Sequence, residues 1–327
     1  MNKFFYIIIA LCVVMFASCN ADFDPNDEWR ENMIIYCLLD QDEDTTWVRV
    51  EKGFLGGNAI ENAKQKDSIY YDKEDLDVKL YAYNVWNENE LKEVFDFTYT
   101  TTNKQNGDFY SSSDCPIYYC VTKGKLSPYY IYKLVVTNTK TNTTATSKTK
   151  LIGDYKIENN NFTFTEKGGA MKIVWSNNYN TQEGESELAK LFSVSIRFNY
   201  TENGRVQHID IPVCTRTNDN KSFSLSTLMD TATMFSSMRL QLKDKQHLGW
   251  YATRPFEIRV SAGDLDMFDY ISINNTQNTL TYTSVYSNID GAIGLFAARR
   301  NNIYKGFADK NIPNQIKAGV MSLGCFE

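Results

Sequence analysis

Alternation dominates the chain. Over residues 46–52, Val48 and Val50 fall on one side while Trp47, Arg49 and Glu51 fall on the other. That is the period of a strand with one buried face. The compact apolar run 33–39 (MIIYCLL) precedes it across the acidic turn Asp40-Gln41-Asp42-Glu43-Asp44, so the two predict a hairpin. Further strands are predicted at residues 76–83, 94–101, 116–121, 145–152, 155–157 and 162–165. Others are expected at 171–176, 192–200, 206–213 and 255–262, and Asn203-Gly204 between the second and third of these is a tight-turn signal. Residues 54–71 break the pattern with Gly56-Gly57 and a weakly helical piece at 59–66. A long loop on a rigid sheet is a common home for binding function.

Two stretches switch to a helical period. Leu225, Leu228, Met229, Ala232, Phe235 and Leu242 recur at helical spacing after Ser222 and Ser224, either of which could cap. Met234 and Met238 sit beside that stripe and read as core packing rather than as part of a cofactor site. A second helix is expected to start from Asp264 as N-cap and run through Leu265, Phe268 and Ile271.

Local signatures refine the fold. Leu126-Ser127-Pro128, with Tyr132 four residues after the proline, resembles the corner leading into strand F of immunoglobulin-like and fibronectin type III sandwiches. There a tyrosine hydroxyl bonds back to the upstream backbone. Tyr132 is expected to do so here, with Leu134 and Val136 beside it in the core. Met171-Lys172-Ile173-Val174-Trp175-Ser176 resembles strand B of a fibronectin type III module, and residues 255–262 resemble its strand F. The expected fold is all-β, with two immunoglobulin or fibronectin type III-like β-sandwich domains, the second carrying helical insertions. Their bounds are 29–152 and 153–327, with the boundary at Gly153-Asp154.

The N-terminus adds location. Lys3, the apolar run 4–16 and Ala17-Ser18-Cys19 have the form of a secretory signal peptide over residues 1–18. The run is shorter than the roughly 20 residues a membrane span needs. The Ala-Ser-Cys ending resembles a bacterial lipobox, with Phe16 standing where leucine is usual; the resemblance implies lipidation of Cys19. Two or more acyl chains anchor a protein stably. Residues 19–28, acidic after the cysteine, then form a linker and resemble a surface-export signal.

Composition excludes more than it selects. A net charge of −6 makes nucleic acid an unsuitable partner. The 21 Tyr and 19 Phe favour β-structure. With two histidines in the chain, His208 in an alternating strand and His247 in a polar loop, no metalloprotease, nucleophile-elbow or phosphate-loop pattern is present. No cofactor, metal site or catalytic residue is expected. The Asp40 to Asp44 turn could offer oxygen ligands to calcium but lacks EF-hand spacing, and it reads as a solvated tip. Cys115 and Cys120 could bridge in an oxidising compartment or stay as two thiols.

Taken together, Ile35 to Asp40, Val48 to Gly56, Asp67 to Tyr71 and Tyr286 to Arg299 resemble a family of Bacteroidetes outer-membrane lipoproteins assigned to a domain of unknown function. The family is similar to lipoproteins found alongside TonB-dependent outer-membrane transporters. The resemblance implies a lipid-anchored, surface-exposed protein with a non-catalytic binding or accessory role, and a transporter as partner. A surface adhesin is the alternative, and a carboxylate-pair hydrolase a more remote one. Within 286–299, Asp290-Gly291 suits a tight turn, and residues 295–298 are expected to close the second domain. Tyr286, Asn288 and Asp290 on that loop are the candidate binding residues.

Overall fold

The computed structural model describes residues 32–53, 66–103, 114–158, 169–177, 188–219, 222–276, 286–307, 312 and 314–326. The fold is all-β, with sheets stacked in sandwich-like fashion. The first half of the chain contributes β1 (Asn32–Asp40), β2 (Thr45–Gly53), α1 (Lys66–Ile69), β3 (Leu76–Asn84) and β4 (Asn87–Asp96). It continues through β5 (Thr98–Thr102), β6 (Cys115–Val121), β7 (Tyr130–Asn138) and β8 (Thr144–Lys150). The second half adds β9 (Tyr155–Ile157), β10 (Ala170–Asn177), β11 (Leu191–Glu202), β12 (Arg205–Thr217) and β13 (Ser224–Asp230). After α2 (Thr231–Leu242) come β14 (Leu248–Trp250), β15 (Phe256–Gly263), α3 (Leu265–Thr276), β16 (Ile293–Phe307) and α4 (Asn314–Met321).

One sheet runs through both halves in the order β12-β11-β15-β16-β1-β2-β6-β5, with β14 attached to β11. Two smaller sheets cover one face of it. The sheet β4-β3-β7-β8 closes a core in which Val78, Leu80, Tyr132, Leu134 and Val136 meet Ile35, Leu39, Val48, Val50 and Phe296. The sheet β13-β10-β9 closes a second core, where Ile173 and Trp175 meet Phe192, Ile196, Phe198 and Ile258, sealed by Met234 and Met238 of α2 and Val320 of α4. β2, β3, β7 and β11 form because their apolar residues alternate, so a single register buries one entire face.

β16 is shared by both cores. Its first half lies parallel to β1, with Ile34 opposite Ile293 and Asp40 opposite Arg299. Its second half runs antiparallel to β15, with Gly263 opposite Arg299. Phe296 enters the first core and Ala298 the second, two residues apart on the same face of one strand. This corrects the expectation that residues 295–298 close the second domain: they pair with the first strand of the first core. Gly294 makes the pairing possible, because a Cβ there would lie 1.9 Å from the Ile35 carbonyl oxygen.

Among the described residues, no strand pairs with the side of β16 away from β1 until Arg299. Side chains take its place at every second residue. Gly294 N–H donates to Ser287 Oγ (3.1 Å), Phe296 N–H to Asn288 Oδ1 (2.9 Å), and Ala298 N–H to Asp264 Oδ2 (2.5 Å). A backbone edge left buried without partners would cost stability at each group, so these three residues complete the sheet.

Other expectations hold or shift in detail. Tyr132 Oη accepts from Ser127 N–H (2.6 Å) and donates to the Ser127 carbonyl (3.1 Å), the expected return to the upstream backbone. Asn203 and Gly204 take positive φ of 51° and 75°, as the hairpin between β11 and β12 requires. Asp264 caps α3, accepting from Met267 N–H (2.9 Å). The first helical stripe is misplaced: Ser224–Asp230 is a strand against β10, and α2 begins only after Asp230, whose carboxylate accepts from Thr233 N–H. Residues 94–101 divide between β4 and β5, which belong to different sheets. Residues 162–165, and 59–65 of the expected helical piece, lie outside the described residues, as does Cys19.

Cys115 and Cys120 stand at the two ends of one extended segment of β6 and are free thiols. Five residue steps along the strand separate them by about 16 Å. A bridge needs Cα atoms within about 7 Å, so the possible disulfide is excluded in this fold. Cys115 is buried and receives the Tyr70 hydroxyl at 3.3 Å.

Candidate binding groove

A cleft opens on the face of the large sheet away from the cores. Alternation turns Tyr36, Leu38 and Asp40 of β1 outward, together with Thr45, Trp47 and Arg49 of β2 and Ile117 and Tyr119 of β6. Pairing then sets them side by side, with Tyr36 opposite Arg49 and Trp47 opposite Tyr119. Arg299 arrives from β16 opposite Asp40. Tyr36, Asp40, Glu43, Trp47, Arg49 and Arg299 line a cleft of about 520 Å³, within the range of small-ligand sites.

The groove has an aromatic wall and a charged end. Trp47 is 47 % exposed, and its ring leans on Tyr119 at 5.5 Å and 38°. Tyr36 meets Tyr270 of α3 edge to face at 6.1 Å, and the Tyr270 hydroxyl donates to Tyr36 Oη at 3.5 Å. Burial, with that hydrogen bond, pushes the Tyr36 phenol up to about 12. At the other end Asp40, only 3 % exposed, accepts from Arg299 Nε (3.2 Å) and Asn301 Nδ2 (2.8 Å). Burial raises the Asp40 pKa despite the attraction of Arg299. Arg300 next to it binds Asp42 at 3.1 Å and pairs with Asp154. The acidic turn is therefore not a wholly solvated tip, since three of its carboxylates, Asp40, Asp42 and Glu43, pair with β16 arginines.

Arg49 differs from Arg299. Among the described residues its guanidinium has no salt bridge and no hydrogen bond, although the residue is half-buried between Trp47 and Tyr36. Its charge acts on the Tyr36 hydroxyl, drawing that pKa down against the burial.

The loop proposed from sequence lies elsewhere and is woven into the fold. Tyr286 Oη donates to Asp266 Oδ1 of α3, and Asn288 is engaged by Phe296 through both amide atoms. The Asn288 carbonyl accepts from Ser147 Oγ at 2.8 Å. Asp290 exchanges backbone hydrogen bonds with Thr146, leaving its side chain exposed. The structure thus gives Tyr286 and Asn288 partners within the chain and does not gather them with the groove residues. Of the groove, alternation on β2 revealed Trp47 and Arg49 as outward-facing; nothing local signalled Tyr36, Tyr119 and Arg299 as their neighbours.

His208 and His247 are exposed, and among the described residues no three His, Cys, Asp or Glu side chains are grouped to hold a metal. No described helix is long and apolar enough to cross a membrane. No protein-family model matches the chain, and no curated protein compared with it does.

Proposed function

We propose that this chain is an outer-membrane lipoprotein, anchored through Cys19 and exposed at the cell surface, with a non-catalytic binding or accessory role beside a TonB-dependent transporter. The observation that carries the binding role is the groove, which holds an exposed Trp47 and an Arg49 guanidinium unpaired among the described residues, over a rigid sheet. Rigid sheet positions hold such side chains ready without an ordering cost at the moment of binding. The two sandwiches are taken as immunoglobulin or fibronectin type III-like modules, a reading supported by the return of Tyr132 to Ser127 and by the buried Trp175 on β10.

Replacing Cys19 by Ser tests the anchor, because acylation needs the thiol. The variant should leave the membrane fraction, and retention after a carbonate wash defeats the lipoprotein reading. Detergent extraction and capture of the wild-type protein should bring down a transporter. A second reading, a surface adhesin, is favoured by another exposed aromatic pair, Trp86 and Tyr129, with ring centroids 5.6 Å apart. Cell attachment lost on Trp86→Ala, with no transporter recovered, selects it.

A further inference from the structure

We infer that the groove recognises an acidic oligosaccharide, with a uronate-type carboxylate on Arg49 and a sugar ring against Trp47. The inference rests on the groove being the binding site and adds the chemistry of its ligand.

Three features point to this class. First, Arg49 is a half-buried guanidinium with no partner among the described residues, whereas Arg299 in the same groove is neutralised by Asp40 at 3.2 Å and Glu43 at 4.0 Å. A planar fork of donors is matched by a carboxylate, which it can bind through two parallel hydrogen bonds. Second, the Trp47 ring leans on Tyr119 at 38° while 47 % of the residue stays exposed, so an apolar ring face remains open two residues along β2 from Arg49. The C–H face of a pyranose ring fits such a surface. Third, Glu43 and Thr45 line the far end of the groove, where they can accept hydrogen bonds from hydroxyls. Thr45 and Arg49 are four strand residues apart, about 13 Å. That distance calls for an oligosaccharide rather than a single sugar.

A peptide fits less well. The backbone groups beneath the groove are engaged in the ladders of β16, β1, β2 and β6, so a peptide would find no main-chain partners there. A saccharide needs none, since its outward hydroxyls stay in water.

The test is calorimetric titration of the intact mature protein with trigalacturonate and with its fully methyl-esterified form. The esters remove the charge and keep the rings. The acid should bind about 10- to 100-fold more tightly than the ester, the worth of a charge-assisted hydrogen-bonding pair. Arg49→Gln should abolish that preference, and Trp47→Ala should weaken both ligands alike. Unfolding midpoints for both variants, measured in parallel, should match the wild type. Equal binding of acid and ester, equal binding of a tri-glutamate peptide, or no binding of either saccharide overturns the inference. The anchoring and transporter experiments read the proposed function separately, so failure here leaves them intact.

Discussion

The side-chain amide of Asn288 holds the backbone of Phe296 in both directions: Nδ2 donates to the Phe296 carbonyl at 2.7 Å, and Oδ1 accepts its N–H at 2.9 Å. One residue thereby stands in for one rung of a missing strand. Asn288→Ala would strip two partly buried backbone groups of partners, each worth about 1–3 kcal/mol when left unsatisfied. We expect a loss of about 2–4 kcal/mol, read as a lowered midpoint in urea unfolding. Asn288→Asp should also destabilise, because a carboxylate cannot donate to the Phe296 carbonyl. An Asn288→Ala midpoint equal to wild type would remove the rung from the account of β16.

Asp264 completes the next rung and makes stability depend on pH. Burial raises its pKa to about 6, against the hydrogen bonds from Ala298, Met267 and Thr149 that favour the ionised form. In the unfolded chain the same group ionises near pH 4. The folded protein therefore holds one more proton between about pH 4 and 6, so this contribution is full below pH 4 and is lost as pH rises through 6. Its size is about 3 kcal/mol. Asp264→Asn keeps the side chain neutral throughout. The stability difference between wild type and variant should accordingly be larger at pH 4 than at pH 7. Parallel stability curves over that window would show that Asp264 does not titrate there.

Tyr132→Phe removes a hydroxyl that both accepts from and donates to Ser127, while the ring stays packed in the first core. Loss of about 1–2 kcal/mol is expected, with the fold retained. Chemical unfolding followed by tryptophan fluorescence would report it, and an unchanged midpoint would show the corner to be energetically idle.

Cys115 and Cys120 should react as thiols in protein purified without reductant and unfolded in guanidinium. Reduction should change neither the mass nor the thiol count. A mass gain of two hydrogens on reduction, mapped to these two positions, would contradict the extended β6.

Strands with one wet face were legible in the sequence because two-residue alternation survives in β2, β3, β7 and β11, where buried positions fall at every second residue. The stripe beginning at Leu225 misled because i, i+3 and i+4 spacings also arise by chance on a short strand. In the structure Thr227 and Met229 point inward on β13 and Leu228 is 65 % exposed, the reverse of a helical face. The pairing of residues 293–299 with 34–40 left no local mark, since nothing in either segment encodes a partner more than 250 residues away. For the same reason the groove was half visible. Trp47 and Arg49 share a strand, but Arg299 joins them only through that distant pairing.

The flanking of β1 on both sides has a mechanical consequence. Its neighbours are β16 along Ile34 to Asp40 and β2 along Asn32 to Cys37. A pull arriving from the N-terminal side runs along the axis of β1 and across the hydrogen bonds of both ladders. Those bonds are loaded in shear, all together, instead of being unzipped one at a time. Resistance to force is set by the rate of unfolding, and a sheared ladder must yield as a unit. The strand that such a pull loads is thus clamped in the middle of the broadest sheet, and its neighbour β16 belongs to both cores, so the load passes into both.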